Sequence, residues 1–304
     1  MPVKPRDLLI GVMADLTWGD PAWLPHPVRG IGWLATHAER FWRQTPIPPR
    51  FAGALFWFSV VGIFTSAVSF TLPWANIYWI YSLLAARDLD VEAGRVVRAL
   101  GRHDLIEARR KLSFIVGRDT DPLNEPEILR ATFETVAENL SDGVVAPLFY
   151  LALGGPLCMA LYKAINTLDS MVGYKSKRFK EFGWFSARID DVANFIPARL
   201  TALAIICTAA LLPPFSATRA LRIAMRDGGS QPSPNAGYPE AAFAGALGVQ
   251  LGGLNFYNGV PSLKPSLGDP VRSLKRNLFG RARILLYVSE ALCVAAVFGC
   301  LKWD

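Results

Sequence analysis

Residues 51–86 read FAGALFWFSVVGIFTSAVSFTLPWANIYWIYSLLAA and carry no charge. A bilayer span needs about 20 apolar residues, so this run is long enough for two, with Pro73 near the turn between them. Proline lacks the amide proton that a helix interior requires, which places the break there. Arg50 and Arg87 flank the run and can extend their head groups to one polar face. The expectation is a hairpin of two spans that returns the chain to the side on which it began.

Working outward, residues 143–162 and 200–218 are also charge-free, and residues 284–301 form a last apolar run with one acid, Glu290. An acid inside such a run is a functional candidate by default, although packing between helices would explain it equally. The whole 304-residue chain is 52% hydrophobic and 19% charged, with nine Trp and 18 Phe. Its mean hydropathy is +0.26. That profile excludes an ordinary soluble enzyme and predicts an all-α, polytopic helical integral membrane protein, with amphipathic and re-entrant helices and no sheet of consequence. The net charge is +7. Because the bases border apolar runs, positive-inside bias explains them, and no basic stripe with interleaved aromatics points to nucleic acid.

The four cysteines all sit in apolar runs and none is spaced CxxC. They read as small core residues, with no disulfide implied. Three scattered histidines give no transition-metal spacing. The N-terminus lacks a signal peptide's apolar region and cleavage site. Its short apolar run, Leu8 to Ala14, cannot span a bilayer, and Pro21, Pro25 and Pro27 impose an ordered turn around Asp15, Asp20 and His26 before a helix through Arg43.

Four polar blocks, 1–50, 87–142, 163–199 and 219–283, are read as cytoplasmic parts of one membrane-embedded domain, 1–304. In the second, Leu89, Ala93, Val96, Val97 and Leu100 recur at helical spacing and Gly101 marks a stop. Gly117 lets backbone approach a ligand, and Arg118 is a planar fork suited to phosphate or carboxylate. Glu134 and Glu138 lie four apart on one helix face, a repulsion that a cation would relieve. The third block, KAINTLDSMVGYKSKRFKEFGWFSARIDDVANFIPAR at 163–199, gathers acids, amides and bases between two apolar runs. Such density suits a charged, polar ligand, and equally a salt-bridged loop beside the membrane. In the fourth, Ala241, Gly245, Gly248 and Gly252 form a stripe of small residues for close backbone approach.

Five pieces, in order and spread over nearly the whole length, resemble the adenosylcobinamide-phosphate synthase family of cobalamin biosynthesis, called CobD or CbiB. They are GDP…PHPVRGIG at 19–32, EARRKLSFIVGRDT at 107–120, ETVAENLSDGVVAPLFY at 134–150, INTLDSMVGYKSKRFKEFGWFSARIDDVANFIPAR at 165–199 and SPNAGYPEAAFAGALGVQLGG at 233–253. The resemblance implies a multi-pass inner-membrane ligase whose site faces the cytoplasm. It uses ATP and Mg²⁺ to join (R)-1-aminopropan-2-ol phosphate, or a similar amino-alcohol phosphate, to a propionate of adenosylcobyric acid. Membrane lipid and other membrane enzymes of nucleotide-loop assembly are the implied partners. On that reading Glu134, Asp169, Asp190 and Asp191 are the catalytic candidates. Glu138, Asp169, Asp190 and Asp191 are candidate Mg²⁺ ligands. Arg118, Lys175, Arg188 and Arg199 are candidate phosphate clamps, and Asn139, Asn166, Asn194 and Asn235 complete the substrate-binding set. A transporter would show repeated halves and polar residues inside its spans at matching positions, and this chain shows neither. A non-catalytic membrane sensor would not need the clusters together.

A cytoplasmic third block requires residues 143–162 to dip in and return at Gly154-Gly155-Pro156; a full crossing would carry Lys175, Lys177, Arg178 and Lys180 outward. Residues 200–218 must likewise turn back, at Pro213-Pro214.

Overall fold

The computed structural model describes residues 3–174 and 176–301 and is mostly helical. In chain order come α1 (Pro5–Trp18), α2 (Pro27–Arg43), α3 (Pro49–Leu83), α4 (Ala86–Gly101), α5 (Leu105–Leu112) and α6 (Glu125–Leu140). A π-helical turn (Ser141–Val145) follows, then α7 (Ala146–Val172), α8 (Trp184–Ala193), α9 (Phe195–Leu211), α10 (Ala217–Asp227) and α11 (Gly237–Leu247). A hairpin, β1 (Leu251–Tyr257) and β2 (Val260–Leu267), precedes α12 (Phe279–Cys300). The chain packs as two compact units. The first comprises residues 1–85, 146–195 and 295–304, the second residues 86–145 and 196–294.

In the first unit, the helix starts follow local chemistry. Pro5 and Pro27 occupy first-turn positions of α1 and α2, where a missing amide proton costs nothing. His26 caps α2 by accepting from the Val28 amide. The apolar run reverses direction, as expected. The rings of Phe64 and Trp79 lie 6.0 Å apart, whereas a straight helix would separate them by about 22 Å. The reversal falls at Ala75, whose backbone leaves helical geometry (φ −127°, ψ 23°) two residues after Pro73. The expectation of two spans is corrected. The second arm, 76–83, reaches only about 12 Å before Leu84 turns extended, well short of a hydrocarbon core of about 30 Å. The first arm is long enough, and Phe51, Phe58, Ile63, Phe70 and Trp74 stand exposed along it.

The second reversal lies inside α7. Gly155 has φ +70° and ψ −166°, a region closed to other residues, and Pro156 follows it. The rings of Tyr150 and Tyr162 stack at 5.0 Å, against about 18 Å along a straight helix.

In the second unit, α6 opens with a reciprocal capping box between Asn124 and Glu127. The α4 helix ends at Gly101, as the sequence predicts, with Leu89, Ala93, Val96 and Leu100 buried and Val97 partly so. The small-residue stripe is corrected. It is not one helix face, because α11 stops at Leu247 and Gly248 caps it in the left-handed region. Within α11, Gly245 admits the Arg219 and Ala220 backbone where its side chain would be, and Ala241 is fully buried. The hairpin was not foreseen. Its turn is Asn258-Gly259, both at positive φ, between paired Tyr257 and Val260. Asn-Gly flanked by apolar residues is the signal that marks it.

Three helical stretches, Pro49–Gly101, Glu125–Val172 and Arg276–Cys300, are long and apolar enough to cross a membrane; α8 with α9, bent by 45°, is a fourth if the pair counts as one span.

Candidate functional site

The candidate residues fall mainly into two polar clusters, one in each unit. In the first unit it is built on α7 and α8. Asp190, on α8, accepts from Asn194 Nδ2 at 3.0 Å and from Asn166 Nδ2, on α7, at 3.5 Å. The Tyr162 hydroxyl donates to Asn194 Oδ1 at 2.8 Å, and the Tyr150 hydroxyl donates to the Ala193 carbonyl at 3.0 Å. The reversal at Gly155 brings these two tyrosines onto one face, so the break in α7 helps build the cluster. Asn194 and Tyr162 are buried, which fixes the amide's orientation and hence the face of Asp190 it covers.

Asp191 pairs with Arg188 at 3.3 Å, an i,i+3 pair on an exposed guanidinium, of a kind that contributes little to stability. Asp169 sits in the last turn of α7, its carboxylate over Gly173, where a Cβ would meet Oδ1. Lys175 lies outside the described residues.

In the second unit the cluster joins the 117–119 segment, α6, α11 and the hairpin. Arg118 Nη1 lies 2.6 Å from Glu134 Oε2 and donates to Asn255 Oδ1 at 2.6 Å. Glu134 Oε1 accepts the Gly252 amide at 2.7 Å. Asp119 accepts the Asn258 and Gly259 amides at the hairpin turn. Arg130 donates to the Leu254 and Gly252 carbonyls. The segment read as a ligand loop therefore also anchors the hairpin. Arg118 and Glu134, given separate roles from sequence, are direct partners.

Glu138 and Glu240 face the same interior, as does Lys264 from β2. Burial pushes Glu240 well above the usual carboxylate range; Glu138 and Glu134 add to this, while Lys264 and Arg118 oppose it. Burial works against the Lys264 ammonium, but the Glu240 and Glu138 carboxylates outweigh it and hold it above its ordinary value. Sequence reading missed Glu240, Lys264, Asn255 and Arg130. A signal existed for Glu240, the one charge in the apolar run 237–253.

The remaining candidates also lie in this unit. Asn139 donates to the Thr135 carbonyl of its own helix. Arg199 donates to Asn235 Oδ1 at 3.4 Å and stacks over the Tyr238 ring at 4.2 Å. Among the described residues no three His, Cys, Asp or Glu side chains gather as a metal site. An ion held by the described residues would therefore take fewer than three such side chains as ligands.

A mostly helical chain with three stretches long and apolar enough to cross a membrane is a membrane protein by class. The CobD/Cbib protein family is matched over residues 8–286. The cobalamin biosynthesis protein CobD of Geobacter metallireducens is 51% identical, over 94% of this chain and 93% of that protein. That of Pelobacter propionicus is 46% identical, over 96% and 94%. The cobalamin biosynthesis protein CbiB of Salmonella typhi is 45% identical, over 94% of each chain. No solved structure matches the chain. The chain belongs to the CobD/CbiB family of cobalamin biosynthesis proteins.

Proposed function

We propose that the protein is an ATP-dependent ligase that joins the amine of (R)-1-aminopropan-2-ol phosphate, or a similar amino-alcohol phosphate, to a propionate of adenosylcobyric acid, forming adenosylcobinamide phosphate. The observation that carries the reading is membership of the family over nearly the full chain, with the matching pieces supplying both polar clusters. A carboxylate and an amine do not condense unaided, so the propionate is activated by phosphoryl transfer from ATP, whose Mg²⁺ enters with it. Asp190, its carboxylate oriented by Asn166 and Asn194, would take the Mg²⁺–phosphate end, with Asp191 next to it in sequence and Asp169 one turn from Asn166 on α7. Within the first unit Arg188 supplies positive charge for phosphate oxygens, and within the second Arg118 and Arg199 do. The test is purified protein in detergent with adenosylcobyric acid, the amino-alcohol phosphate and MgATP. Product formed with stoichiometric ADP is expected; no ATP-dependent product refutes the reading.

The site faces the cytoplasm of a multi-pass inner-membrane protein and works beside other membrane enzymes of nucleotide-loop assembly. Support comes from the reversal at Gly155, which lets 143–162 enter and return, and from the exposed Lys177, Arg178 and Lys180 that follow. Labelling of Ser176→Cys or Ser230→Cys in intact cells by a membrane-impermeant reagent would refute this placement.

A further inference from the structure

Glu240 is only 2% exposed, yet its carboxylate makes no hydrogen bond or ion pair with any described residue. Buried carboxylates are otherwise paired or liganded. Glu134, beside it, is ion-paired with Arg118 and accepts the Gly252 amide. α11 packs against α6, which carries Glu138, and against β2, which carries Lys264; both side chains are half-buried, and neither makes a hydrogen bond or ion pair with a described residue. Lys264 pairs across the hairpin with Gly253, so no opposing side chain competes for its place. One buried acid therefore has no direct partner among the described residues, with a half-buried acid and a half-buried lysine close enough to act on it.

A metal ion would satisfy the acids and leave the ammonium opposed. A neutral amide would satisfy neither side. A short zwitterion with a cation at one end and an anion at the other satisfies both. We infer that Glu138, Glu240 and Lys264 form the binding site for a small aminoalkyl phosphate, its ammonium between the two carboxylates and its phosphate on Lys264. Arg118, held by Glu134, adds positive charge near the phosphate end. An ammonium beside Glu240 favours the ionised carboxylate that burial disfavours. The assignment rests on the ligase reading, for which this molecule is the amine substrate.

The test is isothermal titration calorimetry on full-length protein in detergent. Its probes are (R)-1-aminopropan-2-ol phosphate, free 1-aminopropan-2-ol and inorganic phosphate. The zwitterion should bind wild type at least tenfold more tightly than either fragment. Glu240→Gln and Lys264→Met should each weaken zwitterion binding roughly 10- to 100-fold, the range for lost hydrogen bonds to charged groups. Lys264→Met should leave binding of the free amine unchanged, and Lys264→Arg should restore the zwitterion to within a few-fold, which a merely structural lysine would not require. In turnover, KM for the amino-alcohol phosphate should rise while KM for ATP and for adenosylcobyric acid stay within twofold. Wild type that binds none of the probes, or variants that bind like wild type, overturns the site. Zwitterion binding as expected without ATP-dependent ligation upholds the site and refutes the ligase. Ligation with an unmoved amine-substrate KM in both variants does the reverse.

Discussion

Replacing Glu134 by Leu removes the counter-charge of a guanidinium whose side chain is 7% exposed. Arg118 then keeps only the Asn255 amide oxygen, and the Gly252 amide loses its acceptor. Stranding one member of a buried ion pair costs about 3–5 kcal/mol, a large part of the roughly 5–15 kcal/mol that holds a domain folded. Arg118→Met strands the carboxylate and should cost about as much. The double variant, Arg118→Met with Glu134→Leu, buries no unpaired charge. It keeps only the orphaned Gly252 amide, worth about 1–3 kcal/mol, and should be more stable than either single variant. Unfolding free energies in detergent micelles, arranged as a double-mutant cycle, read this directly. Single variants within about 1 kcal/mol of wild type, or a double variant equal to the sum of the singles, would refute the pairing.

Asp190→Asn should lower the rate of ligation roughly 100-fold, in the range for disturbed metal ligation, with helical content by circular dichroism unchanged; a loss of only a few-fold removes Asp190 from the site. Gly53→Ala should destabilise by about 1–3 kcal/mol, because a Cβ there meets the Phe182 carbonyl at 1.9 Å, whereas Gly62→Ala, with open space around it, should be neutral or slightly stabilising in the same thermal-unfolding assay. The bidentate Arg226 holds the Asp227 carboxyl below its usual range, with the Gly268 amide assisting. A carboxyl with a depressed folded-state pKa stabilises above its unfolded value, about 3.8, and that stability is lost as pH falls through the folded value. Unfolding midpoints measured from pH 5 to 2.5 should therefore fall more steeply in wild type than in Asp227→Asn, and parallel curves would refute it.

The path of the chain was legible wherever a local physical rule acts. Charge-free length marked the long apolar helices, Gly101 the end of α4, and Pro73 and Gly154-Gly155-Pro156 the two reversals, because proline and glycine change backbone geometry whatever surrounds them. The Asn166–Asp190–Asn194 cluster was legible too, since its members lie within one short stretch. The number of spans in residues 51–86 was not, because the run's length does not say how far past the bend the helix continues.

Sequence alone thus determined that the chain is helical and apolar and which family it resembles. Only the tertiary structure decided which charges meet. Arg118 finds Glu134 and Asn255, and Glu240 faces Lys264, because the hairpin at 251–267 carries Asn255 and Lys264 back against α6 and α11. An unpaired charge in a sequence looks the same as a paired one. Burial makes the difference, by excluding the water that would otherwise serve as its partner.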